Sequence, residues 1–324
     1  MNITLNETEA DERWCTTPFT TRTLKLTDSG KTVLFLFDIG ILCTNLSFSL
    51  FGIWAVRSSR KFKVKPPLLL IFNLFANDIV FTVTAQSFYA LKLFVPGLRC
   101  YYDLVFSFVN TWLSNASLTM VMGIALVRWM NTKYLFRTAK ILTVTRAKCS
   151  IFLALTIALF LSSTILIGSI FNVYYLIQFP SSLSDVIVPI AIPYIYYRAM
   201  KISKTRRHAS TIQYRSLTVE TLRRCSFLTM VTFLPARILF FGSSTYKMIN
   251  LKIYENPSER GFQLVHSVCY LIFCLSPVGN SLAYFLNNQG ARRFMYDLKT
   301  RYAPRILYPS NSTIGPQLDD GDLE

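Results

Sequence analysis

The amino-acid sequence predicts an all-α membrane protein, a seven-transmembrane helix bundle with a short interfacial helix after span 7. First, the 324 residues are 52% hydrophobic and only 16% charged, whereas soluble domains carry about 25% charged residues. Second, seven apolar segments are each close to the ~20 residues that cross a bilayer as a helix. Third, Lys and Arg concentrate between certain of these segments. The seven predicted spans cover residues 32–56, 66–91, 101–130, 150–177, 183–200, 225–246 and 263–286.

The segment before the first span, residues 1–31, is polar and begins acidic. It contains two N-glycosylation sequons, at Asn2 and Asn6. There is no apolar stretch ahead of Thr32 that would form the core of a cleaved signal peptide. We therefore expect span 1 to act as its own signal and the N-terminus to be extracellular and glycosylated.

The formal charge of +17 is concentrated in three loops. Residues 57–65, 131–149 and 198–224 hold five, five and eight Lys plus Arg, against the single acid Glu220. Basic loops stay on the cytoplasmic side of a membrane. The pattern predicts a multi-pass membrane protein with a cytoplasmic C-terminus. We expect the membrane to be the plasma membrane. The pattern does not have the basic and aromatic interleaving of a nucleic-acid-binding surface, so we expect no nucleic acid among the partners.

Span 3 is the most informative segment. Asn110, Ser114 and Ser117 recur at helical spacing, and the same stripe leads to Arg128 at the end of the span. An arginine is costly inside hydrocarbon, so it should lie at a water boundary or face protein. The polar and basic residues that follow place Arg128 at the inner membrane edge.

Other spans also carry polar residues in apolar surroundings. Ionisable groups at such positions indicate function, whereas amides and hydroxyls also hold helices together in many bundles; both interpretations are open. The residues concerned are Asp38, Asn45, Asn73, Asn77, Asp78, Asp185, Arg237, Asn280, Ser281 and Tyr284.

Five motifs resemble those of the rhodopsin-like (class A) G-protein-coupled receptors, in order and in spacing. They lie in spans 2, 3, 5, 6 and 7, and the resemblance as a whole covers spans 1 to 7 and the helix that follows. The motifs are Asn-Leu-Phe-Ala-Asn-Asp at 73–78, Ile-Ala-Leu-Val-Arg-Trp at 124–129, Pro189 with Tyr197, Thr-Phe-Leu-Pro at 232–235 and Asn-Ser-Leu-Ala-Tyr at 280–284.

The resemblance implies a receptor that converts extracellular ligand binding into activation of a heterotrimeric G protein, with no catalytic residues. It implies a polar network able to hold a sodium ion, formed by Asn45, Asp78, Ser117 and Asn280. It also implies an inner switch formed by Arg128, Tyr197 and Tyr284, with the G protein bound at the 131–149 and 198–224 loops. No Ser-His-Asp set, metal cluster or phosphate-binding loop indicates an enzyme, and no metal is expected beyond the sodium at Asp78.

Three departures from the family pattern have consequences. Val127 replaces the acid that usually pairs with the arginine, which predicts a less restrained Arg128 and higher basal activity. Phe233 replaces a tryptophan, so the position still carries a large aromatic side chain. Ser281 replaces the proline of span 7, and Pro277 would move the kink by one turn.

The outer halves of spans 3, 5, 6 and 7 would line the ligand pocket. Asn110 stands where amine receptors carry an aspartate, and Cys274 where opsins carry the retinal lysine, so neither ligand class is expected. Arg237 has two interpretations, an ion pair with Asp185 or a contact with an acidic ligand. The candidate ligand-binding residues are Asn110, Thr111, Ser114, Asp185, Phe233, Arg237, Phe240, His266 and Tyr270.

The branch of the family is less well defined. Sequences around 125–146, with 65–67, most resemble odorant receptors and favour a small-molecule chemosensory ligand. The short outer loop at 178–182, without cysteine, is atypical of them. The resemblance of Cys100 to the family's disulfide cysteine predicts a Cys15–Cys100 bond. A peptide or lipid receptor and a membrane transporter are the alternatives.

The last predicted unit, residues 287–324, comprises a cytoplasmic helix and tail. Residues 290–302 place Phe294, Met295, Leu298 and Tyr302 near one apolar side, with basic residues available for lipid headgroups. This pattern is typical of an interfacial helix.

Overall fold

The computed structural model describes residues 28–58, 66–94, 100–134, 142–171, 174–205, 223–224, 226–227, 231, 234–239, 242 and 259–287. The predicted glycosylation sites Asn2 and Asn6, Cys15 of the predicted disulfide and the predicted interfacial helix lie outside these residues. The side chain of Cys100 lies outside them as well.

The described part of the chain is almost entirely helical and contains no strand. One π-helical turn, Thr82–Gln86, interrupts the second membrane-length segment. The α-helices are α1 (Asp28–Ser58), α2 (Pro66–Phe81), α3 (Ser87–Phe94), α4 (Cys100–Tyr134), α5 (Val144–Phe171), α6 (Tyr174–Thr205), α7 (Glu259–Cys274) and α8 (Ser276–Asn287). Residues 234–239, before α7, are also helical.

Five helical segments among the described residues are long and apolar enough to cross a membrane. They are Asp28–Ser58, Pro66–Leu91, Val105–Tyr134, Val144–Gly168 and Leu264–Phe285. The all-α membrane class agrees with the sequence prediction. The other two predicted spans fall in α6 and in the partly described 223–242 region, so the seven-span count remains a prediction.

Two helices extend beyond their predicted spans. The segment 178–182, expected to be an outer loop, lies within α6, and α1 begins at Asp28 inside the segment expected to precede the membrane. Both boundaries were placed where hydropathy falls. A fall in hydropathy marks where a helix leaves hydrocarbon, not where its backbone hydrogen bonding ends.

The helix ends follow local chemistry. Asp28 lies in the first turn of α1 and Arg57 in the last, which are the favourable positions for these charges relative to the helix dipole. The Thr32 hydroxyl donates to the Asp28 carbonyl at 2.9 Å. α2 starts with Pro66 and Pro67, at positions where a missing N–H costs nothing.

α4 is the central helix of the bundle. It packs against α2, α5, α6 and the π turn. Trp112 donates its indole N–H to the Leu155 carbonyl of α5 at 3.3 Å. One apolar cluster surrounds the C-terminal half of α4, formed by Leu70, Leu74, Leu118, Met120, Val121, Ala125, Val127, Ile151, Ile192, Tyr196 and Ala199.

The π turn keeps one face of the second segment directed inward. Asp78, Thr82 and Gln86 are all buried and stand four residues apart. In an α-helix a four-residue interval drifts by about 40° around the axis, and the wider π turn offsets that drift. Gln86 therefore reaches the bundle interior together with Asp78.

α1 and α2 approach closely at Gly52. A Cβ atom on Gly52 would lie 2.5 Å from the ring of Phe75, which is completely buried. Phe75 is held on its other side by Tyr284, whose ring is 5.4 Å away in an edge-on contact. A small residue at such a crossing is what allows two helices to pack without a gap.

We expect Gly52→Ala to lower the free energy of unfolding by about 1–3 kcal/mol, because the added methyl group must displace a ring that has no free side. Gly40→Ala is the matched control on the same helix, since a Cβ atom at that position would have nothing within 4 Å. That substitution should be neutral or stabilising. Thermal unfolding of the purified variants in detergent measures both, and equal midpoints would contradict the close approach.

Candidate functional site

Three helices bring polar side chains together around Asp78, and we call Asp78, Ser117 and Asn280 the polar centre. Asp78 on α2 is buried. The Ser117 hydroxyl of α4 donates to Asp78 Oδ1 at 2.8 Å, and the Asn280 amide of α8 donates to Oδ2 at 2.8 Å. Asn280 Nδ2 also lies 3.2 Å from Ser117 Oγ. Each carboxylate oxygen therefore has a donor from a different helix.

Asn280 reaches the polar centre because the last membrane-length segment is broken. α7 ends at Cys274 and α8 begins at Ser276, with a turn at Leu275. The backbone N–H groups of Val278 and Gly279 both donate to the Leu275 carbonyl, at 3.1 and 3.3 Å. Pro277 has no N–H to continue the pattern of α7. The break therefore lies beside Pro277, one turn before Asn280.

Asn45, which was predicted to belong to the same network as Asp78, makes its hydrogen bonds elsewhere. Its amide donates to Gln86 Oε1 at 3.0 Å and to the Cys274 carbonyl at 2.8 Å. Gln86 in turn donates to Asp38 Oδ1 at 3.5 Å. These residues form a second buried group, the Asp38 cluster, consisting of Asp38, Asn45 and Gln86. It joins α1, the π turn and the end of α7.

Arg237, in the helical 234–239 segment, is the largest fully buried side chain in the described part of the chain, with 1% of its surface exposed. Its guanidinium forms an ion pair with Asp185 of α6. It also donates to the Ser114 carbonyl of α4 at 3.3 Å and lies 4.6 Å from the centre of the Phe273 ring. Three elements thus meet at Arg237, in addition to its own segment.

The Arg237 pair and the polar centre both lie against α4. Ser114, whose carbonyl accepts from Arg237, is three residues before Ser117, which donates to Asp78. Residues three apart on a helix are neighbours on one face. The positive charge of Arg237 also attracts the Asp78 carboxylate electrostatically. A substitution in the Arg237 pair should therefore also affect the polar centre, and the reverse.

The other candidate ligand residues that the structure describes lie on α4 and α7. Asn110 is buried, and its Oδ1 has no hydrogen-bond partner among the described residues. Tyr270 is buried, donates to the Ala85 carbonyl at 3.4 Å and packs 4.8 Å from the Tyr89 ring. Thr111 and His266 are partly buried. Phe233 and Phe240 lie outside the described residues.

The three residues of the predicted inner switch differ in burial. Tyr284 is buried against Phe75, and Arg128 is partly buried near the end of α4, where its carbonyl accepts from Thr132 at 2.9 Å. Tyr197, however, is 57% exposed, whereas its neighbour Tyr196 is 4% exposed and belongs to the apolar cluster around α4.

Tyr197, which the resemblance assigns to the inner switch, lies off the buried face of α6. Eight residues turn an α-helix by about 800°, roughly 80° beyond two full turns. Pro189, Ile192, Tyr196 and Ala199 share the buried face of α6. Helical periodicity therefore selects Tyr196 as the inward tyrosine.

We expect Tyr196→Leu to lower the free energy of unfolding by about 1–2 kcal/mol, since the smaller side chain leaves part of the cluster unfilled. Tyr197→Leu, at the exposed adjacent position, should change it by less than about 0.5 kcal/mol. Thermal unfolding of the two variants in the same detergent compares them. A larger effect at Tyr197 would overturn the helical register described for α6.

Gln86 was missed by the sequence analysis, and Asp38 was noted there without a partner. The available signal was that Gln86, like Thr82, is a polar residue inside an apolar span at four-residue spacing from Asp78. Asn115 was missed as well: it is buried, and its Oδ1 lies 3.4 Å from the Ser184 hydroxyl of α6.

Among the described residues no three His, Cys, Asp or Glu side chains are grouped so that they could hold a metal ion. Comparison of the sequence with models of known protein families found no match, and comparison with curated proteins found none either.

Proposed function

We propose that this chain is a rhodopsin-like G-protein-coupled receptor of the plasma membrane, with seven spans and an extracellular N-terminus. The observation that carries the proposal is the polar centre. A buried carboxylate on α2 accepts hydrogen bonds from Ser117 of α4 and Asn280 of α8, which are the residues that the motif resemblance assigns to one site. The three lie far apart in the sequence, so chance grouping is a poor explanation.

The donor set of the polar centre fits a small hard cation. Asp78 supplies the negative charge, Ser117 a hydroxyl oxygen, and Asn280 Oδ1 is buried without a hydrogen-bond partner among the described residues. Carboxylate, hydroxyl and amide oxygens suit such cations. When bound, sodium would supply a positive charge that holds α2, α4 and α8 together in a resting arrangement.

Switching requires an element with two arrangements that ligand and G protein bias from opposite sides of the membrane. α8 meets this requirement, because the break at Leu275 separates it from α7 while Asn280 ties it to Asp78. Tyr284, one turn further on, packs on Phe75. Movement of α8 would therefore change the Asn280–Asp78 hydrogen bond and the Tyr284–Phe75 contact at the same time.

The transporter alternative needs a polar route across the bundle, and the described residues provide an apolar layer instead. Between the polar centre and Arg128, the interior is filled by Leu74, Val121 and Ala125 of the cluster around α4 and by Phe75 with Tyr284. Ser117 and Arg128 are eleven residues apart on α4, about 16 Å along its axis. A signal can cross this layer by helix movement, whereas a hydrated solute cannot.

The ligand is proposed to be a small chemosensory molecule bound at the outer ends of α4, α6 and α7. Asn110 offers a buried carbonyl oxygen without a partner among the described residues, so it can accept a hydrogen bond from a ligand donor. Arg237 is already paired with Asp185. An acidic ligand would have to displace that carboxylate, which favours neutral ligands with a hydrogen-bond donor; a lipid or a peptide is the remaining receptor class.

The proposal is tested by expressing the full chain in cells that report dissociation of heterotrimeric G proteins, and by screening panels of neutral odorants and small carboxylic acids. A concentration-dependent response that Asn110→Ala weakens at matched surface expression supports both receptor and pocket. Silence across all G-protein classes, accompanied by solute uptake above mock-transfected cells, would replace the receptor with a transporter.

A further inference from the structure

Three aspartates of the described bundle, the buried Asp38 and Asp78 and the partly buried Asp185, differ in how their charge is balanced. Asp185 faces the guanidinium of Arg237. Asp78 has a donor at 2.8 Å on each of its two oxygens. Asp38 is fully buried, yet it has a single donor, the Gln86 amide, at the long distance of 3.5 Å, and its Oδ2 has no partner among the described residues. Of the three, Asp38 is therefore the carboxylate whose negative charge is least balanced by donors or cations.

Among the described residues, Asp38 is surrounded by oxygen acceptors and by no cation. Asn45 Oδ1 and Ser49 Oγ, further along the same buried face of α1, are also buried without hydrogen-bond partners in the described part of the chain. The other titratable groups acting on Asp38 are Tyr89, Tyr270 and Cys274, and none of them is a cation. An isolated carboxylate in an apolar interior is strongly unfavourable.

Gln86 links these acceptors into one group. Its Oε1 accepts from Asn45 and its Nε2 donates to Asp38, so the glutamine bridges two side chains that are two turns apart on α1. It can do so because it lies at the end of the π turn. Single π turns inside α-helices occur frequently at functional sites.

We propose that the Asp38 cluster is a second binding site for a small monovalent cation, with sodium as its ligand, separate from the polar centre. Asp38 supplies the charge, and Asp38 Oδ2 and Asn45 Oδ1 are the cluster's buried oxygens without partners among the described residues. Gln86 Oε1 already accepts from Asn45 and can offer the ion its second lone pair. A divalent ion is disfavoured because one carboxylate would leave a net positive charge in the interior. Bound sodium would tie α1 to the π turn and to the end of α7. This site does not depend on the receptor role.

The test measures thermal unfolding of the purified full chain carrying Asp78→Asn, which removes the charge of the polar centre. Midpoints are compared in sodium chloride and in N-methylglucamine chloride at constant ionic strength and pH. We expect sodium to raise the midpoint by about 2–4 °C, because it binds only the folded chain. Adding Asp38→Asn should abolish the increase, whereas Asp28→Asn, at an exposed carboxylate of the same helix, should leave it intact.

Direct binding of radioactive sodium to the Asp78→Asn chain keeps the proposal testable if the double variant does not fold. Saturable binding that Gln86→Leu weakens would support the site. Absence of saturable binding, or a midpoint that rises with added acid and is insensitive to sodium, would overturn it, because Asp38 would then be a neutral carboxylic acid.

Discussion

Replacing the buried Arg237 by methionine is expected to lower the free energy of unfolding by about 3–5 kcal/mol, because it leaves the partly buried Asp185 carboxylate without its cation. The loss is expected to exceed that of an ordinary core substitution, since Arg237 also donates to the Ser114 carbonyl and lies over the Phe273 ring. Thermal unfolding in detergent and the fraction of chain reaching the cell surface both measure it.

The double variant Arg237→Met, Asp185→Leu separates lost charge balance from lost packing. Removing both charges should recover most of the stability, because apolar residues of similar volume replace buried ion pairs well. Arg198→Met is the matched control, since Arg198 is exposed on α6, the helix that carries Asp185. A double variant no more stable than Arg237→Met would show that the pair is not what makes Arg237 necessary.

Asn280→Asp is expected to destabilise the chain by about 3 kcal/mol, because it places a second carboxylate where the amide now donates to Asp78 Oδ2 at 2.8 Å. Two buried carboxyl groups this close cannot both ionise, so one must be held protonated at neutral pH, and that cost replaces the favourable amide donation. Thermal unfolding measures the loss, and Asp78→Asn alone should cost much less because it removes a charge without creating a repulsion.

The exchanged variant Asp78→Asn, Asn280→Asp tests the same contact in reverse. It keeps one carboxylate and one amide facing each other across α2 and α8, so stability should return to within about 1 kcal/mol of the original chain. If the exchanged variant is as unstable as Asn280→Asp, the two residues do not depend on each other as described.

Much of the architecture follows from hydropathy, because long apolar helices can satisfy their backbone groups without water. The polar centre was also predictable, since Asp78 and Asn280 belong to motifs whose order and spacing are specific, and Ser117 recurs at helical spacing on the polar stripe of span 3. In the structure, hydrogen bonds from Ser117 and Asn280 to Asp78 hold these residues together. The family, the seven-span count and the sodium ion remain proposals.

The remaining features depend on geometry that sequence patterns do not encode. The π turn at Thr82–Gln86 changes which residues of the second segment face inward, so Gln86 joins Asp38 and Asn45 instead of facing outward. Tyr196 and Tyr197 are chemically alike, and only the rotation of α6 decides between them. The ends of α6 depend on backbone hydrogen bonding that continues where hydropathy has already fallen.

The most direct test of the receptor proposal is nucleotide exchange by purified heterotrimeric G proteins on nanodiscs that contain the full chain. We expect exchange above that on empty nanodiscs even without ligand, because Val127 stands where the family carries the acid that restrains the arginine. Arg128→Ala should abolish it at equal amounts of folded protein, whereas Arg57→Ala, an exposed arginine in the last turn of α1, should not. Exchange that is absent with every G-protein class, or unchanged in Arg128→Ala, would contradict the proposal.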